Sequence, residues 1–279
     1  MVYVEVFGGG GSVLLNKERS VREVLNDANG NLINLYRVVR EHPDELKDRL
    51  LYVMHNREDF KIAQRRLAQF PYKDDILRAA DFYQVIRQSY AGNGKQFCAV
   101  ARSMWAGFPA IDRVAGRLQG VTLEKEDFGV IFQRYDSPTT VFYIDPPYFF
   151  TEDYYPGNIF LRSDHQRLAA ILLHAEGLWL LSYNLCPEVL ELYRQPGILI
   201  EEVDRINNMP SGTRAGPSTR KCLYPTMTQG NLPRPSSTSS SLRRRKGKYY
   251  GTDCIEDFGK ERPHHHPLAH PGRAGFLSG

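Results

Sequence analysis

The chain lacks any long apolar run. In its 279 residues no uninterrupted apolar stretch reaches the roughly 20 residues that cross a bilayer. Met1 leads directly into an alternating apolar stretch and then glycines, not into a basic region, apolar core and cleavage site. The expectation is a cytoplasmic protein with no membrane partner. Cysteine is scarce as well: Cys98, Cys186, Cys222 and Cys254 are too few and too scattered for a disulfide framework. No pair of them has the close spacing of a zinc site, so no metal is expected. A basic body is the third absence. Of 36 Lys and Arg and 32 Asp and Glu, 12 basic and 4 acidic residues fall in 211–279, which leaves 24 basic against 28 acidic in 1–210. The overall charge of +4 therefore belongs to the C-terminal stretch and says nothing about nucleic-acid binding by the rest. Within the body only residues 51–118, with 11 basic and 6 acidic side chains, carry a local excess.

What is present suits one large domain, or a domain with an insertion. Val2 to Phe7 reads as a short strand followed at once by Gly8, Gly9, Gly10 and Gly11. Ser12 to Lys17 can start a helix, Arg22 to Leu25 reads as a second strand, and Leu32, Leu35, Val38 and Val39 repeat at helical spacing. Strand, glycine turn, helix and strand open a doubly wound α/β fold. The α/β pattern resumes with a strand at Val141–Ile144, a helix at Asp164–Ala175 and a strand at Leu178–Ser182, implying parallel strands and crossover helices. Between these parts, residues 43–118 are mostly helical in pattern, with helices expected over Phe60–Phe70 and Asp75–Ser89 and a polar loop at Ala91–Lys95. The resulting division is 1–42 and 119–210 as two parts of one α/β domain, 43–118 as a helical insert, and 211–279 as a disordered basic tail. In that tail Pro, Ser, Arg and His replace any apolar period, so too little surface can be buried to offset ordering entropy.

Three places carry chemistry. Asp145, Pro146, Pro147 and Tyr148 follow the apolar strand directly, where the carboxyl ends of strands form the ligand crevice of an open α/β sheet. Two prolines remove two backbone donors and restrict the chain, leaving carbonyl oxygens to act as acceptors. An ionised Asp is a further acceptor, and Tyr offers a flat face. Two acceptors and a ring suit an exocyclic amine on a planar base; the alternative is a proline turn with Tyr148 in the core. The run Phe7 to Gly11 allows close backbone approach and positive φ but lacks the dinucleotide-fingerprint spacing. Asp27, at the end of the next strand, is placed to accept from ribose hydroxyls, or else is a solvated Asp capping the helix at Ala28. Asp127, before Phe128, is either a carboxylate for an adenine amine or an ordinary loop Asp beside a core Phe.

The order YVEVFGGGG at 3–11, Asn26-Asp-Ala-Asn29, Asp127-Phe128 and Asp145-Pro-Pro-Tyr148 resembles Dam-type N6-adenine DNA methyltransferases, especially phage-like ones. FLRSDHQRL at 160–168, LSYN at 181–184, Pro187-Glu188 and Glu191-Leu-Tyr193 extend the resemblance, which spans roughly 2–210. It implies a Rossmann-like, S-adenosylmethionine-dependent methyltransferase fold with the helical stretch 43–118 as an inserted target-recognition subdomain. It also implies the cofactor held over Gly8, Gly9 and Gly10, with Phe7 against its adenine, Asp27 on its ribose and Asp127 on its amine. Asp145 would lie beside both ligands. The target adenine, flipped from double-stranded DNA, would stack on Tyr148 with N6 held by Asp145 and the Pro146 carbonyl. Asp at the first tetrad position implies adenine N6 over cytosine N4, another planar amine being the alternative substrate. A monomer is expected.

In the insert, Lys61, Arg65 and Arg66 fall near one helical face, and Arg87, Ser89 and Tyr90 precede Gly92-Asn93-Gly94-Lys95. Such residues neutralise phosphates, and a polar glycine loop enters a groove to read base edges; the alternative is a solvated helix face. Two departures from the family are visible. Its members carry a Pro-Trp-x-Gly-Gly-Lys-like segment before the first strand, which is not seen here, so an upstream start or a truncated, inactive remnant that at most binds DNA is an alternative. Its members also continue with a strand like KEVLISNY, whereas residues 217–231 read PSTRKCLYPTMTQGN. A permitted back-translation, read one base earlier, gives AFYKEVLISNYDPGQ. Loss of one G at the Gly216 codon would produce the shift, making the sequence from about Pro217 onward out of frame and leaving the basic run Arg243–Lys248 and His264–His266 without a function of their own.

Overall fold

The computed structural model describes residues 1–69, 71–101, 103–150, 160–204 and 219–225. Its centre is a sheet of β1 (Val2–Glu5), β2 (Arg22–Asn26), β3 (Val121–Glu124), β4 (Thr140–Ile144), β5 (Leu178–Asn184), β6 (Ile198–Asp204) and β7 (Thr219–Pro225), in the order β3-β2-β1-β4-β5-β7-β6. All neighbouring pairs are parallel except those of β7, which is antiparallel to both β5 and β6. The order reverses at β1 and β4, and at such a switch point the crevice outside the carboxyl ends is open to a ligand.

Side chains alternate across the sheet, as a pleated strand requires. On β1, Tyr3 joins the core of one face while Val4 joins that of the other; on β2, Leu25 and Val24 divide in the same way. A sheet covered on both faces favours near-continuous apolar strands, which is why TVFYI at β4 is legible as one. The first face is covered by α1 (Ser12–Asn16), α2 (Gly30–Glu41), α3 (Pro43–Leu51), α5 (Asp75–Gln88) and α6 (Phe108–Leu118). The second is covered by α7 (Phe128–Tyr135), α8 (Arg162–Leu172) and α9 (Pro187–Tyr193).

One expectation gains detail and one changes. The helical stretch 43–118 shares its core with the sheet, because Leu46, Leu50, Ala79, Phe82, Ile111 and Leu118 join Tyr3, Leu25 and Val121 in one cluster. Polar bonds tie α6 down as well: Arg117 donates two hydrogen bonds to Glu23 of β2 (2.6 and 2.9 Å), and Arg19 donates to the carbonyls of Gly116 and Gln119 (both 2.8 Å). Only α4 (Arg57–Ala68) forms a small cluster apart, where Phe60 and Ala63 pack with Val85 and Phe97. An amphipathic helix is stabilised mainly by the face it buries, and the sheet offered the larger apolar surface.

The change concerns residues 217–231, where no strand is expected from the sequence. Thr219–Pro225 is a strand between β5 and β6, with Leu223 opposite Leu181 and Ile200. A strand flanked on both sides satisfies its N–H and C=O groups through its neighbours' backbones, so a pairing can form without apolar periodicity. The remainder of 211–279, including the expectation of a disordered tail there, lies outside the described residues.

Candidate active site at the carboxyl ends of the strands

Strand β1 ends in a turn that requires glycine. Gly8 donates its N–H to the Asn26 carbonyl (2.6 Å), and a Cβ on Gly8 would lie 2.9 Å from that same oxygen. Gly9 and Gly11 have φ of 46° and 62°, in the left-handed region that glycine enters without steric cost. The turn is held from two sides, since Gly9 donates its N–H to Asp27 Oδ2 (2.9 Å) and accepts from the Tyr36 hydroxyl (2.7 Å). Nothing lies within 4 Å of the position a Gly9 Cβ would occupy, so the backbone of the turn stands open. Phe7, half-buried, packs edge-on to Phe160 at 5.6 Å and tilted to Phe128 at 5.7 Å.

Glu5 lies beneath the turn, fully buried, and was not singled out in the sequence. It accepts from the Leu14 N–H (2.8 Å) and the Tyr3 hydroxyl (3.2 Å), joining the turn to the helix behind it. Burial, with Asp145 nearby adding like-charge repulsion, pushes its carboxyl up to about 8 against the pull of these two donors. Asn26, which opens the Asn26–Asn29 motif, has no role assigned from the sequence: it donates to the carbonyls of Val6 (2.9 Å) and Glu126 (3.1 Å) and accepts from the Glu126 N–H (2.9 Å). One amide thereby ties the ends of β1 and β2 to the loop after β3. No local pattern shows what either residue bonds, because the Leu14 N–H taken by Glu5 and the Val6 and Glu126 groups taken by Asn26 lie on other elements or loops.

Asp27 does not cap α2; Asn29 does, accepting from the N–H groups of Asn31 and Leu32. The Asp27 carboxylate instead bridges Gly9 and the Asn29 N–H (2.8 Å), and burial raises its pKa despite these bonds. Asp127 is the N-cap of α7, accepting from the Gly129 N–H (2.8 Å). Arg167 grips it with both ends of the guanidinium, at 2.8 and 2.6 Å. Although burial opposes ionisation, the Arg167 and Gly129 donors hold this carboxyl below its usual range.

Asp145, Pro146, Pro147 and Tyr148 leave β4 beside the turn. The Tyr148 hydroxyl donates to Asp145 Oδ1 (2.9 Å), and its half-buried ring packs against the second core. Behind the tetrad stands a group that the sequence did not nominate for this place. Phe149 stacks on the buried His165 ring at 3.7 Å, and His165 Nδ1 is hydrogen-bonded to the Tyr183 hydroxyl. Tyr183 lies 6.0 Å, centroid to centroid, from both Tyr148 and Phe149, and Phe150 has a φ of 70°, a strained value for a side chain of that size.

The residues expected to meet DNA divide. Lys61, Arg65, Tyr90 and Lys95 are exposed. Arg66, though exposed, is paired, donating at 2.7 and 2.5 Å to the buried Asp81, which also accepts from Tyr72. Arg87 is a correction: its guanidinium is buried and donates to the Ser103 carbonyl (3.1 and 2.9 Å), so it does not face a phosphate. Ser89 is buried between the Ile86 carbonyl and the Gly94 N–H, and Asn93 folds back on the N–H groups of Lys95 and Gln96, so both shape the loop.

The crevice thus combines an open glycine turn, carboxylates at the ends of β2 and β4 and before α7, and aromatic faces. That set offers acceptors suited to hydroxyls and to an amine on a planar ring. Among the described residues no group of three His, Cys, Asp or Glu side chains could hold a metal, and no helix is long and apolar enough to cross a membrane. A family model described as D12 class N6 adenine-specific DNA methyltransferase matches residues 1–209. No curated protein matches the chain.

Proposed function

The chain belongs to the D12 class of N6-adenine-specific DNA methyltransferases, and on that premise we propose which of its residues hold the cofactor and the target base. The enzyme methylates adenine N6 in DNA with S-adenosylmethionine, which supplies an activated methyl group on a sulfonium. Its residues fit that cofactor: the open backbone at Gly9 allows close approach, and the neighbouring carboxylates offer acceptors for hydroxyls and an amine. Gly8, Gly9 and Gly10 would form the floor of its site, with Phe7 for the adenine face, Asp27 for the ribose hydroxyls and Asp127 for the adenine amine.

Asp145 and the Pro146 carbonyl accept the two N6 hydrogens of the flipped target adenine, and Pro147 keeps the turn rigid. Tyr148 gives up its bond to Asp145 and stacks on the base. Holding N6 by two acceptors would aim its lone pair at the methyl carbon and stabilise the positive charge that N6 takes up as the N–C bond forms and the C–S bond breaks to leave the thioether, the N6 proton then being released to solvent. Lys61, Arg65, Tyr90 and Lys95 face the duplex. The protein acts as a monomer in the cytoplasm.

The observation that carries this reading is the tetrad at the end of β4 beside the glycine turn of β1, at the switch point of the sheet. Asp145→Ala is expected to lower methyl transfer about a hundredfold or more, the scale of losing a charge-stabilising group at a reacting centre. Base-resolved product analysis is expected to find N6-methyladenine alone. Product on cytosine N4, or full activity in D145A, would overturn the assignment.

We further propose that residues from about Pro217 onward are out of frame. In the shifted reading the positions of β7 become YKEVLIS in place of TRKCLYP. A strand with neighbours on both sides favours apolar side chains and disfavours proline, and Pro225 stands opposite Ile198 of β6. Resequencing across the Gly216 codon tests this: a run with one more G supports it, and the present frame read from independent DNA refutes it.

A further inference from the structure

We propose that Arg167 is a positioning residue for the cofactor, acting through Asp127, whose carboxylate it orients toward the adenine amine. The inference deepens the reading of Asp127 given above and depends on it. Arg167 projects from α8 and spans 40 positions in sequence to reach Asp127 with two parallel N–H···O bonds. A fork of this kind fixes the plane of a carboxylate as well as its charge. The guanidinium is itself held, by Asp164 at 3.0–3.1 Å and by the Phe128 ring, whose centroid is 4.0 Å away. Phe128 belongs with Phe7 and Phe160 to a trio of rings 5.6–5.8 Å apart, so Arg167 flanks the aromatic wall assigned to the cofactor adenine.

The count of acceptors supports the same role. A carboxylate has about four acceptor positions. On Asp127 the Gly129 N–H and one Arg167 nitrogen occupy Oδ1, and the other Arg167 nitrogen occupies Oδ2. Among the described residues one position remains on Oδ2, the number needed for a single amine N–H. Gly129 admits little displacement, because a Cβ there would lie 3.0 Å from Asp127 Oδ1 and 3.5 Å from Arg167 Nη1. Arg167 also keeps Asp127 ionised into the acid range. Among the described residues the charged groups nearby are Arg167 and Asp164 from α8, and Glu126 on the same loop, itself paired with Arg134 of α7.

The test is calorimetric binding of S-adenosylhomocysteine and of S-inosylhomocysteine, in which a 6-oxo group replaces the amine. Wild type is expected to prefer the adenosyl compound, and D127N to lose that preference. R167Q is expected to bind S-adenosylhomocysteine about tenfold more weakly, the scale of a charge-assisted hydrogen bond, with S-inosylhomocysteine affected much less. Its adenosyl binding is also expected to fail at a higher pH than in wild type, since Asp127 protonates more readily without Arg167. R167K keeps the charge and stem without the fork; it is expected to retain the acid midpoint and lose part of the preference. It also serves should R167Q not fold. If D127N loses the preference while R167Q and R167K keep it, Arg167 is only structural and the proposal fails. Tighter binding by R167Q shows that Arg167 competes with the ligand, and the proposal fails. Retention of the preference by D127N overturns the Asp127 reading itself.

Discussion

The carboxyl ends of the strands and the helical stretch 43–118 respond differently to the same kind of reasoning. At the strand ends, Phe7, Gly8, Gly9, Gly10, Asp27, Asp127 and Asp145 all stand on the loops after β1, β2, β3 and β4 that border one crevice. In the helical stretch, Arg66 is exposed but paired with a buried aspartate and Arg87 is buried on a backbone carbonyl, while Lys61, Arg65 and Lys95 are exposed. Glycine and proline signals concern the backbone at their own position, and the parallel sheet then gathers the loops. A basic residue carries no mark of whether its charge faces water or a buried partner.

The largest effect bears on whether the helical stretch is a separate body. Arg117 of α6 and Glu23 of β2 form an ion pair with side chains 14% and 3% exposed, and Arg117 with Lys17 holds the Glu23 carboxyl down at about 2. Arg117→Met removes one partner from a buried charge and is expected to cost about 3–5 kcal/mol in urea unfolding. The sequence contains two tryptophans, Trp105 before α6 and Trp179 in β5. Their fluorescence, observed in W105F and W179F backgrounds, is expected to report one coincident transition. Two midpoints would show that the helical insert unfolds separately from the sheet.

A smaller effect sharpens the account of the glycine turn. Glu5 titrates at about 8 in the fold against an ordinary 4.5, so its contribution to stability is fully present below about 4.5 and fades as pH rises toward 8. From about pH 5 to about pH 7.5 wild type is expected to lose roughly 3 kcal/mol that Glu5→Gln does not lose, measured as the difference between their denaturation curves. Parallel curves would show that the buried carboxyl is not destabilised by ionising.

The smallest effect separates exposed from engaged cations. K61A, R65A and K95A are each expected to reduce the slope of log affinity against log salt by about 0.9 if the side chain neutralises one phosphate. Unchanged slopes in all three would remove this face from the DNA interface.

Much of the fold was legible. The strands at Val2, Arg22, Val141 and Leu178 and the helix behind the second strand stand where the apolar periods put them, within a residue or two at most ends. Less legible were β3, whose VTLE is only partly buried, and α6, whose helical pattern does not reveal which surface it covers. Strand β7 was read as patternless, because backbone pairing supplied what side chains did not. Within the site, the tetrad and the turn could be named from the sequence. Glu5, Asn26, Tyr183 and the bond between Arg167 and Asp127 could not, since each acts through a partner on another element.

The sequence by itself determined the periods, the turns and the identity of the chemical groups, which sufficed for the α/β class and the tetrad's chemistry. Tertiary structure decided that α6 belongs to the sheet layer, that Arg87 is internal and that Arg167 meets Asp127. The physical reason is one of range. Period and turn chemistry depend on neighbours within a few residues, whereas the partner of a charge or a buried amide depends on which distant elements the hydrophobic core brings together.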